Sequence, residues 1–119
     1  MKFPILSTAF VVMASAAACG SATLPAARMA TAQSSIGAAT AVGAAQNPTA
    51  ALHLQYAQEE YAQAETLSRD GDGERAEAVL LRAEADAQLA TELTRRDLAR
   101  TAALSARAAS NTPSPSVTP

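Results

Sequence analysis

From residue 50 to residue 109, alanine and leucine return every three or four positions, and one tetrad, Asp70-Gly71-Asp72-Gly73, breaks the run. That period lines up one stripe of an α-helix, so this chain is expected to be all-α. The apolar stripe is mostly alanine. Alanine loses no side-chain entropy on entering a helix, so the backbone favours helix strongly. It also buries little surface. At roughly 25 cal/mol per Å² of apolar area removed from water, an alanine seam stabilises far less than a leucine seam. Trp is absent and aromatics are 3% of the chain, so no large side chains compensate. A thin core is expected, marginally stable or completed by a partner.

Three helical segments follow from the pattern. The first runs from Leu24 to Ala45, with Pro25 in its first turn, where the missing N–H is no loss. Met29, Ala32, Ile36, Ala39 and Gly43 share its stripe. Gly37 and Gly43 weaken it, each by about 1 kcal/mol against alanine in a helix interior. Asn47-Pro48 then supplies an N-cap and an N1 proline. The second segment continues to Arg69, with Leu54, Ala57, Tyr61, Ala64 and Leu67 as its seam. Gln55, Gln58, Glu59, Gln63 and Glu65 turn away from it.

The tetrad joins the second segment to the third. Gly71 can take the left-handed conformation that ends a helix, and Asp72 can cap the next one. So short a loop makes the flanking helices antiparallel, an αα-hairpin. The third segment spans Gly73 to Ala109, on the order of 55 Å at 1.5 Å per residue. Ala76, Leu80, Ala83, Ala87, Ala90, Thr94, Leu98 and Thr101 form its seam, and Leu81, Ala85, Leu89 and Leu93 form a second strip. Acids come early and arginines late, which suits the helix dipole, and Glu92 and Arg96 stand at i,i+4 spacing for a pair. This segment outruns the second, so its end is expected to project or to meet another chain. The expected fold is thus a long antiparallel αα-hairpin, with a weaker leading helix packed along it and a disordered C-terminal tail. Residues 25–109 form the helical domain, and residues 110–119, with three prolines among Ser and Thr, form the tail.

The first 18 residues read as a signal peptide. Lys2 is a minimal positive region, Phe3 to Met13 an apolar stretch, and Ala14 to Ala18 a run of small residues. The stretch is short for a membrane-spanning helix, which needs about 20 apolar residues. Ala16-Ala17-Ala18-Cys19 resembles a bacterial lipobox, with Ala16 where leucine is commonest. In such a site the Cys19 thiol receives a diacylglycerol and becomes the mature N-terminus, with residues 19–24 as a linker. The alternative is ordinary cleavage that leaves Cys19 incidental, or cleavage after Ala22. Gly20, not Asp, follows the cysteine, which under the usual sorting habit implies the outer membrane, facing the periplasm.

One cysteine excludes an internal disulfide, and a net charge of -2 excludes a strong electrostatic footprint for nucleic acid. The tetrad invites a calcium reading, but with Gly73 at the sixth position of an EF-hand loop the first is Ser68 and the twelfth is Val79. Valine cannot ligate, so a helix-capping turn is expected instead. His53 is the single histidine, with no second histidine, cysteine or acid cluster at ligand spacing, and is expected as a half-exposed surface residue. No Gly-x-Ser-x-Gly elbow and no phosphate loop occur. Catalytic residues, metal and cofactor are therefore not expected, nor is an enzyme. Tyr61 reads as seam. Tyr56 lies on another face and, with Arg95, Arg96 and Arg100 of the late arginine cluster, is the candidate partner-binding surface.

The stretch from Leu52 to Arg96 carries a resemblance. Leu52-His53-Leu54-Gln55-Tyr56-Ala57-Gln58-Glu59, the Asp70-Gly71-Asp72-Gly73-Glu74-Arg75-Ala76 turn, and Leu81-Arg82-Ala83-Glu84-Ala85-Asp86-Ala87-Gln88-Leu89-Ala90 follow one another there. This is similar to the bacterial domain-of-unknown-function family 4398. The resemblance implies two alanine-seamed helices around a Gly-Asp turn, in exported lipoproteins sometimes joined to an OmpA-like peptidoglycan-binding domain. It implies location and fold but no activity. The expected function is that of a lipid-anchored, non-catalytic envelope protein, a structural or protein-interaction element with a helical partner or a second copy; peptidoglycan contact is left open. The alternative is a soluble periplasmic module of tetratricopeptide-like geometry. Ala64, Leu67, Gly71, Ala76, Leu80 and Ala83 fit one such hairpin, but a repeat array needs about three units to bury its faces.

Overall fold

The computed structural model describes residues 26–111. The signal-like segment, Cys19, Leu24, Pro25 and residues 112–119 lie outside them. Helix α1 spans Ala26–Ala41, a 3-10 turn covers Ala44–Gln46, α2 spans Pro48–Arg69 and α3 spans Gly73–Ser110. Helices α2 and α3 form the antiparallel hairpin. Helix α1 lies along it, chiefly against α3, and runs parallel to α3, because Met29 and Ala32 meet the turn end while Ala39 meets the open end.

Both hairpin caps form as their residue types require. The Asn47 side chain accepts from the backbone N–H of Thr49 at 3.1 Å and of Ala50 at 3.0 Å, which satisfies two donors that no helical carbonyl can reach. At the other end of α2, Asp72 N–H donates to the Leu67 carbonyl at 2.9 Å and Gly71 N–H to that of Ser68 at 3.2 Å. With Gly71 at φ 84°, this is a Schellman closure. The Asp72 carboxylate caps α3 at once, accepting from Arg75 N–H at 3.4 Å.

The first helix is shorter than its pattern suggests. Gly43 does not sit inside it: its φ is 87° and its N–H donates to the Thr40 carbonyl, so it ends α1 and starts the 3-10 turn. The helix cost expected at Gly43 is therefore replaced by a conformation that suits glycine. At its other end α3 runs one residue past Ala109.

The core is as thin as the composition implies. Near the hairpin turn, Ala32, Ala64, Ala76, Val79 and Leu80 pack together, with Met29, Tyr61 and Leu67 around them. Toward the open end, Ala39, Ala44, Ala50, Leu54 and Ala90 pack, with Ile36 and Leu93 at the edge. Leu80 is the largest fully buried side chain among the described residues. Small side chains let helix axes approach at the close end of the usual 8–10 Å range. Thr91 and Thr94 enter this seam without leaving a polar atom unmatched, since their hydroxyls donate to the Ala87 and Ala90 carbonyls at 3.0 and 2.9 Å.

The seam of α3 stops at Thr94. Leu98, expected on it, is 59% exposed, and Thr101 is exposed as well. Their spacing is right, but Val42, Gly43 and Gln46 of the 42–47 connection reach only the edge of Leu98, across a shared open groove, and leave most of it exposed. The second strip, Leu81, Ala85 and Leu89, is exposed, and only Leu93 tucks against the core.

Candidate functional site

Two features stand apart from the packing. One is the projecting end of α3. Every residue from Arg95 to Asn111 is exposed. At 1.5 Å per residue, the helical part of this stretch, to Ser110, extends about 24 Å. It carries Arg95, Arg96, Arg100 and Arg107 against one acid, Asp97, and displays Leu98 and Leu104, the latter 55% exposed. Arg95 pairs with Glu92 at 2.9 Å, one residue short of the Glu92–Arg96 pair expected from spacing. Three-residue spacing brings side chains together on a helix as well as four does. Arg96, Arg100 and Arg107 have no ion-pair partner among the described residues. An open groove of about 200 Å³ lies at the root of the projection, lined by Asn47, Thr49, Leu93, Arg96, Asp97 and Arg100.

The other feature is a polar cluster between α2 and α3. His53 Nδ1 lies 2.7 Å from Asp86 Oδ1, with each side chain 25% exposed. An ionised carboxylate only accepts, so Nδ1 carries the hydrogen and donates it. Spacing along the sequence gave His53 no acidic company, but the hairpin supplies it from 33 residues away. Toward the hairpin turn, one turn along α3 and two along α2, Arg82 Nε approaches Glu60 Oε1 at 3.6 Å, while Glu60 Oε2 is buried without a hydrogen-bond partner. Burial pushes the Glu60 carboxyl above its ordinary range; the nearby Asp86 charge adds to this, and Arg82 opposes it.

Tyr56 is 44% exposed and meets His53 edge-on, ring centres 6.2 Å apart. It therefore sits by the Asp86 stretch of α3, about 14 Å along the helix from Arg95 by the helical rise. Within one chain, the candidate surface of Tyr56, Arg95, Arg96 and Arg100 is two patches rather than one. Cys19 lies outside the described residues. At the Asp-Gly turn, the Asp72 carboxylate is engaged by Arg75, whose Nη1 is 3.1 Å from Oδ2. Among the described residues, no group of three or more His, Cys, Asp or Glu side chains is placed to hold a metal ion. Nor is any helix among them long and apolar enough to cross a membrane.

Sequence reasoning missed the His53–Asp86 and Glu60–Arg82 contacts. The signal was present in the turn, since a hairpin closed between Gly71 and Asp72 sets residues 53 to 60 against the eighties of α3. Compared with models of known families, with curated proteins and with solved structures, the chain has no match.

Proposed function

We propose that this chain is a lipid-anchored, non-catalytic protein of the bacterial envelope, held through Cys19 at the outer membrane on its periplasmic side and acting as a structural or protein-interaction element. The observation that carries the interaction half is the projecting end of α3. A helix that keeps leucine and arginine on a surface the rest of the described chain leaves largely open has the composition of a contact surface, where arginine is enriched. The anchor half rests on the order of Lys2, the apolar stretch, the small residues and Cys19. His53–Asp86 is taken as a tie between α2 and α3.

Fractionation of cells expressing the full chain tests the anchor. The wild-type protein is expected in the membrane fraction and the Cys19→Ala variant in the soluble one. Equal soluble recovery of both would remove the anchor and leave a diffusible helical module of the periplasm.

A further inference from the structure

The two patches that lie apart within one chain are complementary between two chains. The projection carries four arginines and one acid, whereas the rest of the described chain carries four arginines and ten acids. One side of α3 continues across both regions. By the helical period of about 100° per residue, Asp86, Leu89, Leu93, Arg96, Arg100, Leu104 and Arg107 share a stripe. Its first half borders the α2–α3 groove beside His53 and Tyr56, and its second half is the bare projection.

We propose that a second copy of this chain docks here, with the two α3 helices antiparallel and each projection lying along the α2–α3 groove of the other. If residues 96 and 97 straddle the two-fold axis, Leu104 of each copy faces Leu89 of the other, Arg107 faces Asp86, and Arg96 faces Asp97. Leu89 and Leu104 are 43% and 55% exposed in the single chain, so both have area to bury. A two-fold axis makes the contact reciprocal: each chain supplies one arginine-bearing projection and one groove edged by Asp86, so both contacts form at once and the assembly closes. Pairing projection with projection instead sets Arg100 opposite Arg107 in a like-charged pair and leaves the groove open. Tyr56 then adjoins the partner's projection, which unites the surface that one chain divides.

This inference rests on the chain being an interaction element, not on its anchor. Residues 89 and 104 of one helix are about 22 Å apart by the helical rise, so they cannot bridge within a chain. The test is mild oxidation of the full chain carrying both Leu89→Cys and Leu104→Cys, beside each single variant, with and without Cys19→Ala. A disulfide-linked species of twice the mass of the mature chain is expected from the double variant only. Sedimentation of Arg100→Glu/Arg107→Glu, whose changes are at exposed positions, is expected to show loss of the dimer with the helical signal intact. Rapid cross-linking by Leu104→Cys alone would mean projection meets projection and would overturn the arrangement. Capture of a different protein by Leu104→Cys, or a monomer throughout, would overturn the second copy as occupant. Either result would leave the membrane fractionation unchanged, so the failure of this inference is distinct from that of the anchor.

Discussion

Leu80 and Leu81 are adjacent, identical residues in one helix, and the structure gives them opposite surroundings. Leu80 is fully buried among Ala32, Ala64, Ala76 and Val79, whereas Leu81 is 48% exposed on the outer strip. Replacing either by alanine makes the same chemical change. At Leu80 the lost transfer energy adds to a cavity that rigid helical neighbours cannot close, and such changes cost about 2–5 kcal/mol. The lower-middle part of that range, about 3 kcal/mol, fits a site walled largely by alanine, where few atoms reach into the void. At Leu81 about half of the burial is lost and no cavity forms, and alanine's slightly better helix propensity offsets part of it. A cost under about 1 kcal/mol is expected there. For a body of this size, 1 kcal/mol moves Tm by roughly 4–8 °C, so the two variants should melt on the order of 10 °C or more apart. Circular dichroism at 222 nm with heat and urea reads both, and a Leu80→Ala chain too unstable to fold at 25 °C would show lost helicity beside a folded Leu81→Ala chain. Costs within about 0.5 kcal/mol of each other would refute the idea that Leu80 anchors the turn end of a largely alanine core.

Further outcomes follow from the same contacts. Because the folded state raises the Glu60 carboxyl above its ordinary value of 4.5, it binds more protons than the unfolded chain just above that pH. Its stabilising contribution is therefore full below 4.5 and is lost as pH rises through the folded value. Urea melts against pH should show this decline, and Glu60→Gln should flatten it and be at least as stable as wild type at pH 7; a clearly less stable Gln variant would show that the Arg82 contact outweighs burial. The glycines should respond in opposite directions. Gly71→Ala forces a side chain into φ 84° and is expected to cost about 1 kcal/mol, whereas a Cβ at Gly37 meets nothing within 4 Å, so Gly37→Ala is expected to gain about 0.5–1 kcal/mol. Thermal melts that shift the same way for both would contradict the conformations assigned to them.

How much could be read beforehand depends on the range of the cause. The seams of α2 and α3 were legible, because Ala57, Ala64, Ala76, Ala83, Ala87 and Ala90 reach the core through the helical period alone. The caps at Asn47 and Asp72 were legible too, since each acts on N–H groups two or three residues away. Leu98 and Thr101 were misplaced because period says which side of a helix is apolar, and only the length of the partner says how far that side is covered. Gly43 was misplaced because an apolar stripe tolerates glycine, while its left-handed φ answers to the tight return toward Asn47. Of the candidate surface, the late clustering of the arginines was legible, and their exposure comes from the end of the partner helices. Their distance from Tyr56, and the His53–Asp86 contact beside it, depend on the register of the hairpin, which no local pattern prints.

The most direct measurement is the intact mass of the mature protein taken from the membranes of cells expressing the full chain. The account expects a chain beginning at Cys19, heavier than its sequence by a lipid-sized increment that disappears in Cys19→Ala. A mature chain with an unmodified Cys19, or one beginning after Ala22, would contradict it.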